Sequence, residues 1–258
     1  MSNTPCELDG NFEPSDRTPR GIIHLSLQGK GGFGKSLIAS IVAQYYGYRG
    51  AEVQCIDTDP VNQTLSQYRA LKAQHLKLLT NGNVDQRGFD QLMERLLTEE
   101  GVFVVDSGAS TFIPLWSYIL ENKVLELLLN AGRLLYVHTV ITGGQALADT
   151  LKGFGSLAES TSQRNLIVWI NEYFGRVERE GKQFVDMTVC KNNAEKIFGW
   201  VLLAKRHQDT FGRDFEELIS QKLTMQEGIV EGSFSLMSKQ RIQMIQREVF
   251  QQLDALSF

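Results

Sequence analysis

The amino-acid sequence predicts a single doubly wound α/β domain, a mostly parallel sheet with helices on both faces. Three observations carry that expectation. Short, nearly continuous apolar runs alternate with stretches of helical periodicity, a glycine cluster joins the first run to the first helix, and Asp or Asn closes several of the runs. Apolar strands without polar alternation are covered on both faces, which requires crossover helices and therefore parallel pairing.

The elements follow in order. Residues 1–20, with several acids and three of the five prolines, lack an apolar core and read as a mobile tail ahead of one domain spanning 21–258. IIHLSL (22–27) is the first strand; SLIASIVAQYYGYRG (36–50) is a helix closed by Gly47 and Gly50. EVQCID (52–57) is a strand, LSQYRALKAQ (65–74) a polar helix, FDQLMERLLTEE (89–100) a helix and VFVVD (102–106) a strand. LLYVHTV (134–140), a helix over 146–160 and LIVWIN (166–171) continue the alternation. The apolar stretch starting at Val124 is broken by Glu126 and Arg133, short of the ~18 residues of a membrane span. In the last helix, Ile242, Ile245, Val249, Leu253 and Leu256 share one face. Its opposite face is mainly glutamine with mixed charge, so packing on the domain is favoured over a membrane surface.

Composition narrows function. With 26 basic against 30 acidic residues, bulk positive charge for coating nucleic acid is absent, and residues 191–258 carry nine of each sign. DNA binding would need a clustered patch that composition does not indicate. Cys6, Cys55 and Cys190 form no C-x-x-C pair, which argues against a disulfide framework or zinc site and for a reducing, cytoplasmic setting. The four histidines show no metal-ligand spacing, and His138 reads as a packed strand residue.

Gly29-Lys30-Gly31-Gly32-Phe33-Gly34-Lys35-Ser36 matches the phosphate-loop pattern G-x-x-x-x-G-K-[ST] between a strand and a helix. Glycines let successive N–H groups turn toward phosphate oxygens, and the N-terminus of the next helix adds its positive end. Within 31–37, Gly31, Gly32, Phe33, Gly34, Lys35, Ser36 and Leu37 are the candidate nucleotide-binding residues; Lys35 reaches the β- and γ-phosphates and the Ser36 hydroxyl ligates Mg²⁺. Asp57 and Asp59, two residues apart at the end of a buried strand, and Asp106 at the end of the next supply carboxylates for magnesium and for an attacking water.

KGGFGKS, with its early Lys30 before paired glycines, resembles the deviant Walker A motif of the ParA/MinD family of ATPases, and DTDP (57–60) resembles that family's switch segment. The resemblance implies ATP and Mg²⁺ as ligands and Lys30, Lys35 and Asp59 as catalytic residues, with Lys30 reaching the nucleotide across a dimer and Asp59 orienting water. It places Asp57 and Asp106 near the metal and Asn171, at the end of a late strand, on the adenine edge. DSGAS (106–110) has Gly108 where the family often has proline. HTVITGGQALADT, EGKQF and FGRDF resemble a plasmid-conjugation branch of the family and imply an ATP-dependent homodimer acting with a conjugation- or partition-type protein.

A metabolic ligase or amide synthase on the same fold, using ATP on a small acid, is the alternative, although no further substrate constellation is evident. An iron–sulfur carrier would need cysteines behind the strand ending at Asp106, and none lies between Cys55 and Cys190.

Overall fold

The computed structural model describes residues 21–27, 32, 34–80, 83–230 and 233–258. The expected tail and Lys30, Gly31 and Phe33 lie outside the described residues. Seven parallel strands form one sheet: β1 (Gly21–Ser26), β2 (Val53–Asp57), β3 (Gln74–His75), β4 (Gly101–Asp106), β5 (Arg133–Thr142), β6 (Leu166–Asn171) and β7 (Ile197–Leu203). Their spatial order is β7-β6-β5-β1-β4-β2-β3. The chain leaves β1 toward β2 but leaves β4 toward β5 on the other side of β1. Strand order therefore reverses around β1, and ligands in such sheets bind beyond the carboxyl ends at that reversal.

Alternate side chains of each strand feed two cores. Ile23, Leu25, Phe103, Val105, Leu135, Val137, Leu166 and Val168 face one side. There they meet α2 (Gln86–Thr98), α3 (Phe112–Glu121), α4 (Val124–Asn130) and α5 (Leu147–Glu159). Val102, Val104, Tyr136, Val140, Ile167 and Trp169 face the other side. That side is covered by α1 (Lys35–Tyr48), α7 (Arg213–Ser220), α8 (Met225–Val230) and α9 (Leu236–Leu256), the short α6 (Thr188–Lys191) lying between β6 and β7 in sequence. In α9 the expected face packs inward: Ile242, Ile245, Val249 and Leu253 are buried and Leu256 packs against them. Among the described residues no helix is long and apolar enough to cross a membrane. Arg133 is instead buried at the start of β5, donating to the carbonyls of Leu97 and Glu99 at the end of α2.

Two expectations need correction. Residues 65–74 are not one helix but two 3-10 turns, Leu65–Gln67 and Arg69–Leu71, followed by β3. Tyr68 between them is extended and Lys72 is left-handed (φ 48°), because the segment bends back to add β3 to the sheet edge. The other concerns β7, which the sequence does not signal. It is broken by a register shift between Ile197 and Gly199 and lies at the sheet edge, where the Gln252 side chain pairs with both the N–H and the C=O of Leu202. That amide occupies the position of a neighbouring strand and blunts the edge.

Behind β1 lies a buried polar chain of four side chains. Trp169 Nε1–H donates to His138 Nδ1 (2.8 Å), His138 Nε2 meets His24 Nδ1 (2.8 Å), and His24 Nε2 meets the Tyr46 hydroxyl (2.9 Å). An indole only donates, so both imidazoles are neutral and carry their hydrogen on Nε2. Burial holds the His138 pKa down to about 3, and burial with the neighbouring His138 holds that of His24 well below 6.5. The unfolded chain therefore binds more protons than the folded one, and these groups withdraw stability as pH falls below 6.5. In urea unfolding at about pH 5, each histidine is expected to cost on the order of 2 kcal/mol relative to neutral pH. His138→Gln, which keeps an acceptor for Trp169, should remove about half of the histidine-linked loss; the same pH dependence in both proteins would contradict the assignment.

Candidate nucleotide site

The site forms where β1, β2 and β4 end together. Ser26 and Asp57 both stand in register with Asp106. Thr58 donates from its N–H (2.8 Å) and hydroxyl (2.9 Å) to the Asp106 carbonyl, and the Ser107 hydroxyl donates to the Ser26 carbonyl (2.7 Å). These bonds tie the exits of three strands into one unit.

Gly34 begins α1 in a left-handed conformation (φ 103°), and Gly32 also has positive φ (87°). A side chain at either costs roughly 1 kcal/mol or more in strain. The turn delivers Lys35 and Ser36 to the first turn of α1, where helical N–H groups have no intrahelical partners. Lys35 is buried. Burial lowers its pKa, while Asp106 and Asp59 act against that shift.

Asp106 is wholly buried, and neither carboxylate oxygen has a hydrogen-bond partner of ordinary geometry among the described residues. Burial pushes its pKa from 3.8 up to about 7. The Ser36 hydroxyl and Lys35 oppose that rise; Asp57 and Asp59 add to it. A buried carboxylate without donors is costly, and a hard cation or its water shell satisfies such an oxygen. Ser36, Asp106 and the neighbouring acids are oxygen donors of the kind that Mg²⁺ takes. The residues present therefore fit the metal.

The other two aspartates have different surroundings. Asp57 accepts from the N–H of Asp59 (3.0 Å) and of Ser66 (2.9 Å), so its carboxylate holds the following loop in shape. Asp59 accepts from the N–H of Val61 (2.9 Å) and Asn62 (3.2 Å) and from the Asn62 amide (3.3 Å). Gly108 packs directly against it: a Cβ there would lie 2.9 Å from Asp59 Oδ1 and 3.1 Å from its Cα. The glycine that departs from the family's proline thus leaves room for Asp59.

Beside the phosphate loop opens a cavity of about 370 Å³ lined by Gly32, Gly34, Leu37, Asn171, Phe174 and Phe215 among others. Asn171 is buried; its Oδ1 accepts from the Tyr173 N–H (3.1 Å), and its Nδ2 lies 3.5 Å from where a Gly34 Cβ would be. The loop after β5 and the loop after β6 cross at backbone contact, since a Cβ on Gly143 would fall 2.0 Å from the Gly175 carbonyl oxygen. The HTVITGG glycines serve that crossing. Lys35, Ser36, Asp57, Asp59 and Asp106 therefore gather in one place, with Leu37 and Asn171 lining the adjoining cavity. Thr58 and Ser107 were missed in the sequence, though each directly follows a flagged aspartate.

Residues 26–224 match the CobQ/CobB/MinD/ParA nucleotide binding domain. The chain belongs to this nucleotide-binding family. It is 41% identical over 234 residues to a protein named "Protein TraL" from Escherichia coli, covering 90% of this chain and 97% of that one. A second E. coli protein of the same name is 40% identical over 233 residues, with the same coverage. Among solved structures, the MinC:MinD cell division protein complex of Aquifex aeolicus aligns with a TM-score of 0.49 at 14% identity, over 87% of this chain and 93% of that chain.

Because folding raises the Asp106 pKa, the unfolded chain gives up that proton more readily, and this group withdraws stability as pH rises from 3.8 through about 7. Asp106→Asn is expected to stabilise the nucleotide-free protein at about pH 8 by on the order of 1–3 kcal/mol in urea unfolding, and to abolish magnesium-dependent nucleotide binding. A destabilised variant would show that the carboxylate already has a partner. Gly108→Ala should displace Asp59, cutting hydrolysis while ATP affinity in calorimetry stays unchanged; unaltered turnover would mean that Asp59 tolerates the shift.

Proposed function

We propose that the protein is a slowly hydrolysing, ATP-dependent dimeric switch that acts in the cytoplasm in plasmid conjugal transfer, with a conjugation- or partition-type protein reading its state. The observation that carries this reading is the Asp106 carboxylate, buried beside Lys35 and Ser36 at the foot of the glycine loop with no hydrogen bond of ordinary geometry among the described residues. A site in that condition has a charge to satisfy and a cation poised for phosphate.

The phosphates are bound by the first-turn N–H groups of α1 and by Lys35, where Asp106 and Asp59 act against the lowering of its pKa by burial. Ser36 and Asp106, with Asp57 beside them shaping the loop, would hold Mg²⁺, which would supply positive charge against the phosphates. Asp59, fixed by three donors from residues 61 and 62, is the acceptor that orients the attacking water. Water adds to the γ-phosphorus, the bridging oxygen leaves with ADP, and the water's protons pass to the phosphate and solvent. Asn171 reads the adenine edge through an amide that both donates and accepts. Lys30 reaches the nucleotide of the second protomer.

The bonds from Thr58 to Asp106 and from Ser107 to Ser26 give the switch its linkage, because the loops after β2 and β4 cannot move independently while they hold. Loss of the γ-phosphate is felt by both loops at once. Light scattering behind size exclusion should find a dimer with a non-hydrolysable ATP analogue and none with ADP. Lys30→Ala should lose the ATP-dependent dimer, and a dimer of unchanged affinity would remove the switch. Asp59→Ala should slow hydrolysis by about a hundredfold with ATP affinity retained; full turnover would refute its role.

A further inference from the structure

The cavity beside the phosphate loop has a wall that neither the phosphates nor Asn171 account for. After β7 the chain makes a π-helical turn, Gln208–Gly212, before α7, and such turns are rare and concentrate at functional sites. The Gln208 side chain packs over Gly212 within the turn, its Oε1 2.8 Å from where a Cβ would be. The turn carries Phe211 to the cavity, where the Arg206 guanidinium lies 5.1 Å from the centre of its ring. Glu248 of α9 is ion-paired with Arg206 and also lines the cavity. Arg206 is thus held from two directions. A long cationic side chain that would otherwise sample many rotamers enters the wall as a fixed plane.

Resting on the nucleotide-binding reading above, we propose that Arg206, locked by Phe211 and Glu248, is a positioning residue for the nucleobase: it supplies a flat cationic surface on which a purine stacks. A guanidinium stacks on π-faces in a way that an ammonium does not. The apolar lining by Leu202, Phe215, Ile219 and Val249 favours the larger purine ring over a pyrimidine. The FGRDF segment, which the phosphate chemistry leaves unused, acquires a role here: Phe211 backs the arginine, and Asp214 pairs with Arg241 to fix α7 against α9.

The test separates base from phosphate. Calorimetry is run on the full chain with Mg²⁺ and ATP, GTP, CTP or inorganic tripolyphosphate, for the wild type, Arg206→Ala, Arg206→Lys and Glu248→Gln. Arg206→Ala is expected to weaken ATP about tenfold and leave tripolyphosphate unchanged, which also shows that the variant is folded. Arg206→Lys, which keeps the charge, should recover little of the loss, and Glu248→Gln should show part of it. The wild type should bind ATP and GTP more tightly than CTP. Unchanged ATP affinity in Arg206→Ala, an equal loss for tripolyphosphate, or full rescue by lysine would overturn the proposal. A wild type that binds tripolyphosphate and all three nucleotides alike would also overturn it and leave the phosphate site standing. A wild type that binds none of them would defeat the nucleotide reading itself.

Discussion

A carboxylate buried at the centre of a sheet, with no hydrogen bond of ordinary geometry to either oxygen among the described residues, is a cost in free energy that the rest of this structure surrounds. Asp106 ends β4 between β1 and β2, wholly enclosed, with its pKa raised to about 7. A well-packed domain has no use for such a group on stability grounds, and replacement by an amide would relieve it. Everything near it makes sense once a cation and a polyphosphate are brought in. Lys35 stays near two aspartates, Ser36 turns its hydroxyl toward the same carboxylate, and the first turn of α1 opens its N–H groups in that direction.

The main chain at the end of β4 ties the two flanking loops together. Thr58 bonds to the main chain of Asp106 itself, Ser107 to β1, and Gly108 makes room for Asp59. Asp57 and Asp59, similar in sequence, part company here. Asp57 accepts from the N–H groups of Asp59 and Ser66, whereas Asp59 accepts from Val61 and Asn62, so each carboxylate fixes a different part of the loop.

The strand ends were legible in the sequence because buried parallel strands are apolar to their last residue, so Asp57, Asp106 and Asn171 stand out where the run stops. The glycine loop was legible because a backbone that must turn toward phosphate with positive φ needs Gly32 and Gly34. What escaped depends on partners distant in the chain. His24 and His138 bond across 114 positions, and nothing local distinguishes a paired histidine from a packed one. β7 was missed because Gly199 and its register shift interrupt the apolar run, and an edge strand half covered by α9 carries a weaker pattern. The segment 65–74 has helical composition, but Asp57 takes the Ser66 N–H and β3 takes the sheet edge, so tertiary bonds override local propensity. The base-side wall was the least visible of all, since the Arg206, Phe211 and Glu248 arrangement exists only once α9 is packed beside the π-helical turn.

Proton release on binding tests the central claim most directly. Titrating MgATP into the protein near pH 7 in two buffers of different ionisation enthalpy counts the protons lost, and a group with a pKa of about 7 should release about half a proton as the metal fixes its charged form. The account predicts tight binding with that release when magnesium is present and none when it is chelated. Absence of nucleotide binding, or binding that is indifferent to both magnesium and buffer, would contradict it.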